Sequence, residues 1–338
     1  MKYFEAHPVT EFKDANGETP EILIVDGNRT GGKTTAFSRL LVDEFLTQGK
    51  KFFIVKRYKN KLKNVADSFF KDIQFLFFPD HKMTAKSRCD GAYIELFLDK
   101  EPCGYASALS MASSIKDYSH VFSDVENMFF DEYQDENGIY LPDEIKKFHS
   151  LHTTIARGRG QAVRFVPVYM CSNSISIFNP YYQAFGITSK INSETKVYRG
   201  EGFVLLRLTM KEVAEAQRKS AFNRALANSG YTESSIDNSF LNDDNYNVEK
   251  RKDITKPLFG FVSGADFFSV AYSGSEYYVR KGGDRQQPII FGVRREDRKH
   301  NVIAIGGTYL IRLRNEYENS RIYFDTVEAK HNFIDLIA

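Results

Sequence analysis

The chain has 338 residues, a formal net charge of +2, 42% hydrophobic residues and three cysteines. That length exceeds one compact α/β domain and reads as two, while the near-neutral charge confines any nucleic-acid-binding surface to a local patch. Cys89, Cys103 and Cys171 are too few and too oddly spaced for a disulfide or zinc framework. No apolar run approaches the roughly twenty residues that span a bilayer, and Met1–Glu5 lacks the apolar core of a secretory signal, so a cytoplasmic protein is expected. The 29 Phe and 19 Tyr, with no Trp, read as core and imply no function.

The first predicted strand, Ile22–Val25, runs into Gly27-Asn28-Arg29-Thr30-Gly31-Gly32-Lys33-Thr34, which fits the spacing G-x-x-x-x-G-K-[ST] of a phosphate-binding loop. Glycines leave backbone N–H groups open to a polyphosphate, Lys33 supplies a cation for the β/γ-phosphates, and Thr34 a hydroxyl for Mg²⁺. A helix is predicted from Thr34 through Phe37, Leu40, Leu41 and Phe45 to near Gly49. The nucleotide set is therefore Gly27, Arg29, Gly31, Gly32, Lys33, Thr34 and Thr35, and the expected ligand is ATP with Mg²⁺.

A second strand, Lys51–Val55, ends in the basic run Lys56-Arg57-Tyr58-Lys59-Asn60-Lys61-Leu62-Lys63. At the sheet edge such a loop suits contacts to a phosphate backbone without sequence reading, and Lys56, Arg57, Lys59 and Lys61 are the DNA-binding candidates; a solvated face is the ordinary alternative. Asn64–Phe78 reads as helix, and Ala92–Leu98 with Gly104–Leu109 as a hairpin. The short strand Met128-Phe129-Phe130 ends in Asp131-Glu132. Asp131 sits where a P-loop protein holds its Mg²⁺, and Glu132 is placed to polarise an attacking water, which favours hydrolysis over transfer to a metabolite.

A helix predicted to start near Pro142 carries His149 and His152, for which no further metal ligands are apparent. It leads to Arg157-Gly158-Arg159-Gly160, where a rigid guanidinium on a glycine-flexed loop suits an arginine finger reaching a neighbouring subunit's nucleotide. A strand from Val163 to Met170 ends in Cys171-Ser172-Asn173, and Asn173 reads either as a γ-phosphate sensor or as part of a turn before Asn179-Pro180. Met210–Asn228 is predicted helical, Tyr231–Pro257 is polar, and short alternating strands follow from Leu258 to a helix at Val327–Ile337. The expected division is a P-loop ATPase domain over 1–205, a helical linker region over 206–256 and a small α+β domain over 257–338.

The segments Gly27–Thr34, Phe53–Lys59, Phe129–Tyr133, Tyr140–Glu144 and Cys171–Tyr182 resemble, in order and spacing, the genome-packaging ATPases of φ29-like phages. The Arg29-containing loop and the Ser172-Asn173-x-x-Ser176-x-x-Asn179-Pro180 string are the specific parts, with weaker similarity through Ser235–Phe240 to Phe324-Asp325. The resemblance implies a P-loop fold of the additional-strand, catalytic-glutamate type followed by a ribonuclease-H-like domain that has lost its metal ligands. It further implies a ring, expected to hold five subunits, docked transiently on the portal of a procapsid in the host cytoplasm and driving double-stranded DNA inward. Carried over by position, Lys33, Thr34, Asp131 and Glu132 are hydrolytic, Arg157 is the finger, Lys116 a second group acting across the subunit interface, and Lys56 faces the DNA channel. The stretch between Arg157 and Cys171 is a few residues longer than in the relatives, which leaves the finger open between Arg157 and Arg159. What the second domain touches (portal, shell, an RNA scaffold or a neighbouring subunit) is likewise open. Asp266, Asp284 and Asp325 are the remnants of a nuclease site, and no cleavage is expected; a large terminase with an active nuclease, or a nucleotide switch without turnover, are the alternatives.

Overall fold

The computed structural model describes residues 4–338 apart from 29, 64, 137, 161, 176–178, 189, 192–194, 209, 226–246 and 299–300. The described residues fall into two compact units, one within Met1–Ser176 and Lys196–Asn238, the other within Ile177–Thr195 and Ser239–Ala338.

In the first unit the strands are β1 (Ile22–Gly27), β2 (Lys51–Lys56), β3 (Met83–Arg88), β4 (Tyr93–Leu98), β5 (Glu101–Ala108), β6 (Val125–Asp131), β7 (Val168–Asn173), β8 (Val197–Gly200) and β9 (Phe203–Leu208). They form one sheet in the order β3-β4-β5-β2-β6-β7-β1-β9-β8. The run from β5 to β9 is parallel, and antiparallel strands close both ends. A parallel sheet is covered on both faces, so its strands are apolar without a break, as Leu23–Val25 and Phe52–Val55 are. The side chains nonetheless alternate in direction. Phe129 joins Leu23, Val25, Tyr169 and Cys171 in the cluster under helix α1 (Lys33–Gln48), where Phe37 stacks on Tyr169 at 5.3 Å. Phe130 points to the other face and meets Phe148 of helix α3 (Glu144–Ile155), which comes after α2 (Val65–Phe77) in the chain. Much of the aromatic content is thus interior.

β7 lies between the phosphate-loop strand β1 and the acid-ending strand β6. That intervening strand is the arrangement expected of the additional-strand class. β7 itself starts at Val168 rather than Val163, because Pro167 has no N–H for the ladder and Arg164 caps the carbonyls of Phe122, Val125 and Ile155. The boundary expected at 205 falls inside β9, which pairs with β1 from Ile22↔Phe203 to Gly27↔Leu208. The helix expected over 210–228 is interrupted: Ser220 takes an extended ψ of 145° between Lys211–Lys219 and Ala221–Ala225. Residues 226–246, which hold the larger part of the polar stretch Tyr231–Pro257 and the weaker Ser235–Phe240 similarity, lie outside the described residues.

The second unit has a six-stranded sheet, β14-β13-β10-β11-β12-β15, from β10 (Lys256–Ser263), β11 (Asp266–Ser273), β12 (Glu276–Lys281), β13 (Ile290–Gly292), β14 (Val302–Ile303) and β15 (Ile322–Phe324). The antiparallel meander β10-β11-β12 is extended by parallel β13 and β14 on one side and by parallel β15 on the other. Phe261 stacks on Phe268 at 4.8 Å, and Phe333 of the helix Val327–Ile337 packs on both Phe261 and Phe324. No helix among the described residues is long and apolar enough to cross a membrane.

Candidate nucleotide site

The phosphate loop leaves β1 under tight steric constraint. A Cβ on Gly27 would stand 2.5 Å from the Leu208 carbonyl oxygen, so β9 admits only glycine there. Thr30 and Gly32 take positive φ of 58° and 85°, and Gly32 caps α1, whose first-turn N–H groups face the loop. Asn28 Oδ1 accepts from Met210 N at 3.0 Å, and Gln217 donates to Thr30 Oγ1 at 2.6 Å, so the chain after β9 braces the loop.

Lys33, only 8% exposed, donates to the carbonyls of Gly27 (3.1 Å) and Asn28 (2.9 Å) and to Asn173 Oδ1 (3.4 Å). Burial pulls its ammonium below the ordinary lysine range, opposed by the negative neighbours Asp26 and Asp131. Asn173 is therefore at the phosphate loop, as β7 register requires: it pairs with Gly27.

Asp131 ends β6 beside α1. Its Oδ1 accepts from Thr34 Oγ1 (3.0 Å), Glu132 N (3.0 Å) and Cys171 Sγ (3.1 Å). Burial, then the Asp131 carboxylate, push the Cys171 thiol well above its usual range, so it acts as a donor. Glu132 is exposed and takes a left-handed φ of 56°, held by its N–H to the Cys171 carbonyl at 2.8 Å. A non-glycine residue pinned there is the kind of strain found at functional sites. Gly31, Gly32, Lys33, Thr34, Thr35, Asp131, Glu132 and Asn173 line one cleft of about 1000 Å³. A hydroxyl and a carboxylate, with phosphates and water completing the shell, suit Mg²⁺, which favours oxygen ligands and few protein groups. Below the acids lies a group the sequence reading missed: buried Asp26 accepts from Tyr133 OH (2.7 Å) and Gln134 Nε2 (3.0 Å), tying the end of β1 to the segment after β6. Its signal was an acid inside an apolar strand.

A family model described as "Podovirus DNA encapsidation protein (Gp16)" matches residues 19–337. The chain belongs to that family. It is 27% identical over 309 residues to the DNA packaging proteins of Bacillus phages PZA and phi29, covering 89% of this chain and 88% of each relative. Its fold is similar to a chain of the bacteriophage phi29 genome packaging motor assembly, with TM-score 0.59, 23% identity and 99% of each chain covered.

Arg29 is outside the described residues. Lys116 and Arg157 are exposed and are not part of the cleft lining. Arg157 has no side-chain partner among the described residues, whereas Arg159 pairs with Glu126 at 3.0 Å. Ala156 O and Arg164 N close the neck of this loop at 2.7 Å. His152 turns Nε2 to the Val166 carbonyl.

The basic run needs a correction. β2 is an interior strand, and Arg57 points inward, 8% exposed, paired with Glu144 at 3.0 Å and donating to the carbonyls of Glu132 and Tyr133. It is not available to DNA. Lys56 is half-buried at the end of β2; Lys59 and Lys61 are exposed on a 3₁₀ turn anchored by buried Leu62, and Lys59 also donates to the Asp90 carbonyl. In the second unit Lys281 is paired with Asp266 at 3.2 Å and Glu328 at 2.6 Å, and its backbone N–H donates to Asp325. Asp284 instead accepts from Gln286 N in the loop after β12.

Proposed function

We propose that this chain is an ATP-hydrolysing motor that drives double-stranded DNA into a phage procapsid, working as a ring of subunits docked on the portal in the host cytoplasm. The observation that carries the reading is the juxtaposition of phosphate loop and acid pair, with Thr34 bonded to Asp131 and Glu132 projecting into the same cleft. A P-loop, a metal carboxylate and a water-orienting glutamate are what hydrolysis of a γ-phosphate needs. Membership of a DNA encapsidation family supports DNA as the cargo.

In this reading Lys33 exchanges its carbonyl partners for β/γ-phosphate oxygens, and the α1 N-terminus faces the same charge. Thr34 Oγ1 and Asp131 would hold Mg²⁺, which would supply positive charge against the charge developing on the phosphate. Glu132 orients the attacking water, and Asn173 senses the γ-phosphate. Arg157, without a side-chain partner among the described residues, is the finger for a neighbour's nucleotide, with Lys116 as a second trans group; the ion pair of Arg159 with Glu126 argues against that residue. Lys56, Lys59 and Lys61 grip the phosphate backbone. The ring is taken as a pentamer, and portal, shell, an RNA scaffold or a neighbouring subunit is the partner of the second unit. That unit is read as a ribonuclease-H-like domain without cleavage, since Asp266 and Asp325 are engaged by Lys281.

The test is steady-state ATP hydrolysis by the full-length chain with and without linear double-stranded DNA at low salt, alongside Glu132→Gln. DNA-stimulated turnover that disappears in Glu132→Gln, with ATP binding kept, is expected. Turnover that survives the substitution would end the role given to Glu132, and binding without turnover under every condition would favour a nucleotide switch.

A further inference from the structure

Three donors converge on Asp131 Oδ1, from Thr34, Glu132 and Cys171, while Oδ2 has no hydrogen-bond partner among the described residues. Thr34 and Glu132 belong to the hydrolytic motifs. Cys171 belongs to neither, and being fully buried it has no route to a ligand. Its place follows from register. β7 runs between β1 and β6 with Val25↔Cys171 and Asp131↔Cys171 as partners, and partnered residues on parallel strands face the same side of a sheet. The thiol and the Asp131 carboxylate therefore both lie on the α1 side, next to the first turn that carries Thr34.

We infer that Cys171 is a positioning residue for the hydrolytic centre. Its thiol fixes Asp131 through Oδ1 and leaves Oδ2 to face the metal, and its carbonyl holds the left-handed turn that sends Glu132 into the cleft. Groups that orient a metal carboxylate act on metal affinity although they never touch the metal. The carbonyl contact survives any side-chain change, so substitution isolates the thiol. If the sulfur only fills space, any side chain of similar volume serves; if it donates, a hydroxyl serves and a methyl does not. The inference rests on the reading of Asp131 as the magnesium carboxylate.

The experiment measures the Mg²⁺ concentration that half-saturates binding of the fluorescent analogue mant-ATP to the full-length chain. Cys171→Ala, Cys171→Val, Cys171→Ser and Asp131→Asn are compared with the parent, and thermal unfolding is recorded for each. Asp131→Asn should raise the requirement; Cys171→Ala and Cys171→Val should raise it about ten-fold, with Cys171→Ser staying within about two-fold of the parent. An unchanged requirement in Cys171→Ala and Cys171→Val beside a raised one in Asp131→Asn overturns the role of Cys171 alone. Equal rises in Ala and Ser assign the effect to volume and overturn it too. No change in Asp131→Asn removes the magnesium reading and the inference with it. Should Cys171→Val fail to fold, the Ala and Ser pair decides.

Discussion

Arg57 Nε lies 3.0 Å from Glu144 Oε1, joining the end of β2 to the start of α3 in an interior where the two side chains are 8% and 1% exposed. The same guanidinium sits 5.2 Å from the Tyr140 ring centroid, and Glu144 Oε2 accepts from Leu141 N. Removing one member of a buried, hydrogen-bonded pair strands the other. Arg57→Ala should therefore cost about 3–5 kcal/mol of stability. Arg57→Lys should recover little of it, because an ammonium cannot reproduce the planar fork that serves Glu144 and two carbonyls together. Urea unfolding of both variants checks this, and near-parent stability in Arg57→Ala would remove the structural role.

The three lysines beside it should behave in the opposite way. Replacing Lys56, Lys59 and Lys61 by Ala should leave the unfolding midpoint close to the parent. The log–log dependence of DNA affinity on salt should flatten by about one for each phosphate that is no longer neutralised. An unchanged slope would put the DNA-gripping surface elsewhere on the chain.

Arg157 and Arg159 are separable by turnover. Arg157→Ala should lower DNA-stimulated hydrolysis by about 10³-fold, as loss of a finger does, with Arg159→Ala much milder. Mixing Arg157→Ala with Glu132→Gln protein supplies rings in which an intact site can face an intact finger. Partial recovery in the mixture is the expected sign of action in trans; a mixture as silent as its components would argue for a cis or structural role.

The second unit should not cut DNA. A supercoiled plasmid incubated with the full-length chain and Mn²⁺ should stay intact, because Lys281 engages the Asp266 side chain and, through its backbone, Asp325. A two-metal nuclease needs several free carboxylates converging on the ions. Nicking that vanishes in Asp266→Ala would restore the nuclease reading.

Local motifs with a backbone role were legible in the sequence. Gly27–Thr34 and Asp131-Glu132 each announce a strand end and its chemistry within a few residues, and the structure brings the two together at Thr34 and Asp131. Arg57 was misread because a run of bases looks alike whether its members are solvated or buried. Its partner Glu144 is 87 residues downstream, invisible to any short window. The helix Gly307–Glu318 was missed for a different reason: its stripe is narrow, Leu313 and Tyr317 with half-buried Leu310, and Ile311, 60% exposed, blurs it in the sequence. β9 had a usable signal, the unbroken run Phe203–Leu206 after Gly200 and Gly202, but it was divided by the boundary drawn at 205. The place of Cys171 beside Asp131 carried none, since it is a matter of strand order.

The bracing of the phosphate loop by Met210 and Gln217 has a consequence for how the molecule reports on its nucleotide. In the proposed reading Lys33 would leave the Gly27 and Asn28 carbonyls for a phosphate, and Asn28 and Thr30 are also the anchors of the strand exit and of the helix Lys211–Lys219. A loop fastened in this manner has no private conformational life: a shift at Asn28 or Thr30 would pass directly to the segment that leaves the sheet, through the Asn28 carboxamide on Met210 N and Gln217 on Thr30.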